Sequence, residues 1–148
     1  MHVLELHSVQ IEDPSASSHI PFQSLLEDKF DLIFKFRVLQ NLHQVYWNIY
    51  YIVDLANSKQ IIPVGKSDVL NYEASSPSST TFEQFKYSIN KLPIENVPMI
   101  LLNNVGLLVA SLRNYNDDSE LFKCSIVVQS ERNERDGKLY RNILNPME

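Results

Sequence analysis

Apolar and polar residues alternate with a period of two along several short segments of the chain. The clearest case is Phe30–Val38, where aromatic or aliphatic residues occupy every second position and charged residues lie between most of them. Val3–Ile11 shows a similar alternation, and it stops at Asp13 and Pro14. This pattern is typical of strands with one buried and one exposed face, so both segments are predicted to be strands.

Later segments extend the same prediction. Val45–Val53 is dense in aromatic and β-branched residues, which favour a largely buried strand, and Trp47 is expected in the core. Met99–Asn104 is predicted to form one helical turn. The other predicted strands are Phe82–Ile89, the hairpin strands Val105–Leu112 and Leu121–Val128 around a turn at Asn114–Ser119, and a closing segment at Lys138–Pro146. The predicted turns and loops are Gln40–Gln44, Gly65–Ser67, Glu73–Thr81 and Glu131–Lys138.

The number and spacing of these segments predict the fold class. About seven short strands, turn signals every eight to twelve residues and no long amphipathic helix are typical of an antiparallel sandwich. We therefore predict an all-β, immunoglobulin-like β-sandwich with short helical turns in its connections, forming one domain over residues 1–148. The cysteine-tryptophan-cysteine core of antibody domains is absent, since the chain has one cysteine.

Composition narrows the class of protein. The chain has 148 residues, of which 44% are apolar, enough for a core without a metal or a disulfide. The single cysteine, Cys124, excludes an intrachain disulfide and predicts a reducing, intracellular compartment, with its side chain facing the core. Apolar runs such as Val105–Ala110 are too short to span a membrane. A formal charge of −5 disfavours direct nucleic-acid binding and would attract a basic partner.

No pattern of catalytic, cofactor-binding or metal-binding residues is found. Gly65-Lys66-Ser67 looks like the end of a phosphate-binding loop, but Gln60 occupies the position of that loop's first glycine, so a turn is predicted. The acidic residues at the predicted hairpin tip are explained by turn chemistry. The four histidines stand too far apart for a metal site and are predicted to be solvent-exposed: His2, His7, His19 and His43. We therefore expect a protein that is not an enzyme and uses no cofactor.

Several segments share their order along the chain with the motifs of one known family. They are Glu12-Asp13-Pro14-Ser15 with Pro21-Phe22-Gln23, Trp47-Asn48-Ile49-Tyr50-Tyr51, Asp68-Val69-Leu70, Val97-Pro98 with Val105, Glu120-Leu121-Phe122-Lys123 with Val127-Val128, and Arg141-Asn142-Ile143-Leu144 before Asn145-Pro146. Together they resemble the anti-silencing histone chaperone family. The resemblance covers nearly the whole chain, and it implies an immunoglobulin-like sandwich that binds the heterodimer of histones three and four.

The resemblance also implies histone-binding residues. A strand-centre aliphatic residue that packs on a histone helix in the family corresponds to Leu107, and an arginine that pairs with a histone carboxylate corresponds to Lys123. Lysine keeps the charge but lacks the two-pronged hydrogen bonding of arginine. The chemical type is lost at three further positions of the family's histone site, which correspond to Leu101 for an acidic residue, Val127 for a tyrosine and Met147 for an arginine.

A second family site is altered as well. The acidic pair that holds basic peptides of other chromatin-assembly chaperones corresponds to His43 and Gln44, so this co-chaperone site is in doubt. The two residues that keep the family's chemical type also have an ordinary structural explanation. Leu107 lies in an apolar strand and suits the core, and Lys123 suits the solvent face of a hairpin.

Two functions follow from these observations. The first is a histone chaperone for nucleosome assembly and disassembly, acting in the nucleus and cytoplasm without metal, membrane or direct nucleic-acid binding. The alternative is a divergent immunoglobulin-like protein-protein interaction module that has lost histone binding, because the substitutions remove charges and hydrogen bonds that a basic partner would use.

Overall fold

Strands make up 57% of the protein and helix 3%. A computed structural model describes residues 2–14, 21–76, 78 and 80–147. In chain order the elements are β1 (Leu4–Glu12), β2 (Ser24–Leu25), β3 (Phe30–Val38), β4 (Leu42–Val53), β5 (Gln60–Lys66), β6 (Leu70–Tyr72), β7 (Glu83–Ile89), α1 (Met99–Leu102), β8 (Asn104–Asn114), β9 (Glu120–Arg132) and β10 (Leu139–Leu144). The predicted all-β class is confirmed, and the helical turn lies in the connection before β8.

The strands form two antiparallel sheets that curl into a half-barrel. The small sheet has three strands in the order β1-β3-β7. The large sheet has seven strands, with the order β2-β10-β9-β8-β4-β5 and with β6 paired to β4. β8 and β9 form the predicted hairpin, since Leu107 pairs with Val127 and Ser111 with Lys123.

The core lies between the two sheets and is centred on Trp47, whose side chain is fully buried. Its ring stacks on that of Phe85 from the small sheet, with 4.8 Å between ring centroids. The indole Nε1 donates a hydrogen bond of 3.1 Å to the hydroxyl of Tyr72, so the buried polar atom of the ring is satisfied. Cys124 is buried in the same core, as predicted.

A buried arginine fixes the position of β10. The guanidinium of Arg141 donates to the carboxylate of Asp13 over 2.8 Å and to the carbonyl oxygens of Leu26 and Asp28 over 3.2 and 2.5 Å. Because Arg141 is only 3% exposed, these contacts hold a full charge inside the protein and tie β10 to the segments on both sides of β2.

Three turn and loop predictions require correction. Gly65 and Lys66 end β5 instead of forming a turn; the glycine is needed because a Cβ atom there would collide with the hydroxyl of Tyr87 on the small sheet. The predicted turn at 40–44 is partly strand, since β4 begins at Leu42. The pairing of β4 with β6 shifts register between Leu42 and Val45, and Gln44 within this interval has a φ of +53°. β9 continues to Arg132, into the predicted loop at 131–138. Ser15 and His19 lie outside the described residues.

A candidate protein-binding face

The large sheet has a second face, turned away from the core, which we call the outer face. Along β8, Leu108 and Ala110 belong to the core, whereas Leu107 and Val109 do not and project to the other side. Beneath them the Tyr51 ring packs against Gly106, where a Cβ atom would collide with its hydroxyl group. The glycine therefore lets β8 lie directly over Tyr51 and present Leu107 outward.

Five aliphatic side chains form a continuous line across the outer face, which we call the aliphatic row. Each comes from a different neighbouring strand, and each is the direct cross-strand partner of the next. In spatial order they are Ile61 of β5, Ile52 of β4, Leu107 of β8, Val127 of β9 and Leu144 of β10. With a strand spacing of about 4.8 Å, the row is about 19 Å long.

The middle of the outer face is closely packed. Val109 and Ser111 are 1% and 0% exposed, so the side chains around them shield them from solvent. The ends of the aliphatic row are open by comparison, with Ile61 60% and Leu144 40% exposed. Ile52 is only 7% exposed, so the apolar surface open to solvent lies at Leu107, at Val127 and at the two ends of the row. Exposed apolar surface of this kind is a feature of interaction sites.

A hydrogen-bonded cluster of charges lies on the outer face near the turn between β8 and β9. Arg113 forms ion pairs with Asp118 at 3.1 Å and with Glu120 at 3.6 Å. The hydroxyl of Ser111 donates to Glu120 over 2.8 Å, and the hydroxyl of Tyr46 donates to Asp118. The hydrogen bond from Tyr46 and those from Arg113 lower the pKa of the Asp118 carboxyl, and the same bond to Asp118 raises the pKa of Tyr46. Both carboxylates of this cluster are therefore engaged by the protein's own arginine.

Three of the site residues predicted from the sequence come together on the outer face. Leu107 and Val127 are direct cross-strand partners in the middle of the aliphatic row, and both are half-buried. Lys123 is exposed and lies beside Ser111 on the same face. Val127 follows Lys123 by four positions along β9, a distance of about 14 Å.

Leu101 and Met147 lie away from that central pair. Leu101 belongs to α1 and packs against the core cluster. Met147 is exposed and follows Leu144 by three residues; its backbone N–H donates to the side chain of Asn145, which itself donates to the carbonyl of Val9. The turn after β10 is therefore anchored to the small sheet.

His43 and Gln44 lie at the opposite end of β4 from Ile52, about 27 Å away along the strand. Both side chains are exposed. The backbone N–H of Gln44 donates to Asn71, and its carbonyl accepts from the N–H of Tyr115. The two predicted sites are therefore separate surfaces.

Sequence reasoning missed Ile52, Ile61, Lys66 and Arg113 as members of the outer face. The available signal was the alternation within β4, where Tyr46, Tyr50 and Ile52 fall on one side and Trp47 and Tyr51 on the other. That signal shows which residues share a face of one strand, but it does not give the partners on the next strand.

Three further findings concern metal ligands, the thiol of Cys124 and membrane-spanning helices. Within the described ranges, no group of three or more His, Cys, Asp or Glu side chains is arranged to hold a metal ion. Burial raises the pKa of the Cys124 thiol, which disfavours the reactive thiolate. No helix of the described chain is long and apolar enough to cross a membrane.

Profiles of known protein families give no match to the chain, and neither does any curated protein.

Proposed function

We propose that this protein is a non-enzymatic histone chaperone of the anti-silencing type. It binds the heterodimer of histones three and four through the outer face of the large sheet and transfers the dimer during nucleosome assembly and disassembly. It acts in the nucleus and in the cytoplasm, together with other chromatin-assembly chaperones.

The observation that carries this proposal is the aliphatic row centred on Leu107 and Val127. The resemblance assigned Leu107 to a histone helix, and this side chain projects away from the core, beside Val127. A helix rises about 1.5 Å per residue, so the row of about 19 Å matches about thirteen residues of a partner helix. An amphipathic helix laid along a groove is a common way to bury such a surface.

Electrostatics supports the same partner at longer range. The net charge of −5 attracts basic histones toward the protein. Lys123 on the outer face supplies the local cation that the resemblance pairs with a histone carboxylate, although with less directional hydrogen bonding than arginine. The overall charge thus favours encounter, while the aliphatic row and Lys123 provide specific contacts.

Co-elution with the recombinant dimer of histones three and four tests the proposal. At moderate salt, a mixture should elute in size-exclusion chromatography as one complex, ahead of either component. An unrelated acidic β-sandwich of similar size and charge serves as the control for non-specific attraction. If the two sandwich proteins retain equal amounts of histone, the proposal is wrong.

A second candidate is an interaction module that has lost histone binding and recognises another protein. It is favoured by the loss of negative charge at the positions where the family has acidic residues. Leu101 packs on the core instead, and His43 and Gln44 carry no negative charge. This candidate predicts a reproducible non-histone partner in affinity purification, with histones at background and with the partner lost in Leu107→Arg. Recovery of the histone pair as the main Leu107-dependent partner would exclude it.

A further inference from the structure

Two lysines stand at the ends of another line across the outer face, parallel to the aliphatic row. We call this line the lysine row. Its members are direct cross-strand partners in the order Lys66 of β5, Asn48 of β4, Ser111 of β8 and Lys123 of β9. With a strand spacing of about 4.8 Å, the two lysine backbones are about 14 Å apart.

The position of Lys66 is fixed by its neighbours in sequence. The N–H and the hydroxyl of Ser67 each form a 2.8 Å hydrogen bond with the backbone of Trp47, which sets the register between β4 and the end of β5. Gly65 is held against the Tyr87 ring on the core side. Lys66 therefore projects to the outer face, where its ammonium lies 5.7 Å from the centre of the Tyr46 ring.

Both lysines keep their charge available for a partner. Across the described ranges, neither ammonium forms an ion pair with a carboxylate. The positive charge of Lys66 acts on Asp118 without a direct ion pair. The carboxylate of Asp118 is bound instead by Tyr46 and Arg113. The lysine row therefore presents two cations on a protein whose net charge is −5.

We infer that Lys66 is a second cationic contact for the partner, acting with Lys123. This inference rests on the proposed function. The lysine row runs about 14 Å from the aliphatic row, four residues along β4, β8 and β9 and five along the irregular β5. A helix about 10 Å wide on the aliphatic row brings its flank to about 9 Å from both lysine backbones, a gap that a lysine and a facing carboxylate side chain span together once Lys66 turns from Tyr46 toward that row. The partner surface carries two carboxylates about 14 Å apart on that flank, about nine residues along a helix.

The test compares three charge reversals: Lys66→Glu, Lys123→Glu and the control Lys35→Glu. Lys35 is exposed on the small sheet, and all three substitutions change the net charge equally. Affinity for labelled histone dimer is measured by fluorescence anisotropy at low and high salt, after denaturant unfolding has established that each variant is folded. The more acidic control should bind the basic dimer as well as the unmodified protein or slightly better.

We expect Lys66→Glu to weaken binding by about threefold to tenfold at low salt and by less at high salt. This loss is opposite to the slight gain expected from the more negative net charge alone. Lys66→Gln should give an intermediate loss. If Lys66→Glu behaves like the control while Lys123→Glu weakens binding, the inference is wrong and the proposed function stands. If the unmodified protein binds no dimer, both are wrong.

Discussion

Leu107 and Leu108 are neighbours in β8 with similar side chains, yet the two faces of the large sheet give them different roles. Leu108 is 1% exposed and belongs to the core shared with the small sheet. Leu107 is half-buried beside Ile52 and Val127, on the face turned away from the core. The inner face stabilises the fold, and the outer face leaves apolar side chains partly exposed. The comparison shows that similar hydrophobicity does not imply a similar position in the fold.

The largest difference should come from placing the same charge on each face. Leu108→Arg buries an unpaired guanidinium in the core and should cost at least about 4 kcal/mol of unfolding free energy, enough to unfold many domains. Leu107→Arg should cost about 0.5 kcal/mol, because its charge reaches solvent. Urea unfolding followed by circular dichroism measures both. Equal losses would mean that the outer face is part of the core.

The next largest effect concerns binding. Leu107→Arg should weaken the affinity for the histone dimer by at least about 2 kcal/mol, about thirtyfold, because it removes an apolar anchor and inserts an unpaired charge. Gln10→Arg adds the same charge to the small sheet and should leave binding unchanged. Isothermal titration calorimetry provides the affinities. A folded Leu107→Arg protein that binds normally would locate the site elsewhere.

A smaller effect is expected from the polar contact on the same face. Lys123→Glu should weaken histone binding by about 0.5–1 kcal/mol at low salt, and by less at high salt, because an exposed ion pair is screened. Lys123→Arg should preserve or improve the affinity, since arginine can form two parallel hydrogen bonds with a carboxylate. A loss independent of salt would show that the lysine does not act through its charge.

Tyr50 and Tyr51 extend the comparison to pH. Burial raises the pKa of Tyr51 in the folded state, so the native protein holds this proton more tightly than the unfolded chain does. Its contribution to stability is therefore present below the unfolded pKa of about 10 and is lost as the pH rises further. Tyr51→Phe should reduce the loss of stability at alkaline pH, as measured by urea unfolding at several pH values.

Tyr50 is the matched control, because it lies on the outer face and is only half-buried. Its pKa is raised too, first by partial burial and then by the charge of Glu120. In the folded protein, its phenolate should form at lower pH than that of Tyr51, which ultraviolet absorbance of the two Phe variants can distinguish. Titration of Tyr51 before Tyr50 would contradict the assignment of the two faces.

The strength of the local signal explains which parts of the fold could be predicted from the sequence. Phe30–Val38 has the same bounds as β3, because its alternation is interrupted only at Ile33 and both edges of the strand are paired. β5 was missed because Pro63 and Gly65 normally interrupt strands. Because β5 is an edge strand, it tolerates the proline. Gly65 is required by its close contact with Tyr87, a residue that lies far away in the sequence.

The site could be predicted only in part for a similar reason. The resemblance pointed to Leu107, Lys123 and Val127, which do share the outer face. The aliphatic row as a whole depends on the register of five strands, and no single segment of the sequence specifies that register. Ile61 and Leu144 join the row only through pairing with Ile52 and Val127.

The central claim is that the outer face binds the dimer of histones three and four. The most direct test is a titration of isotope-labelled protein with that dimer, followed by nuclear magnetic resonance of backbone amides and methyl groups. We predict that the signals of Ile52, Leu107 and Val127 shift or broaden most, while those of Ile33 and Phe85 on the small sheet change little. Perturbation centred on the small sheet, or none at saturating histone, would contradict the account.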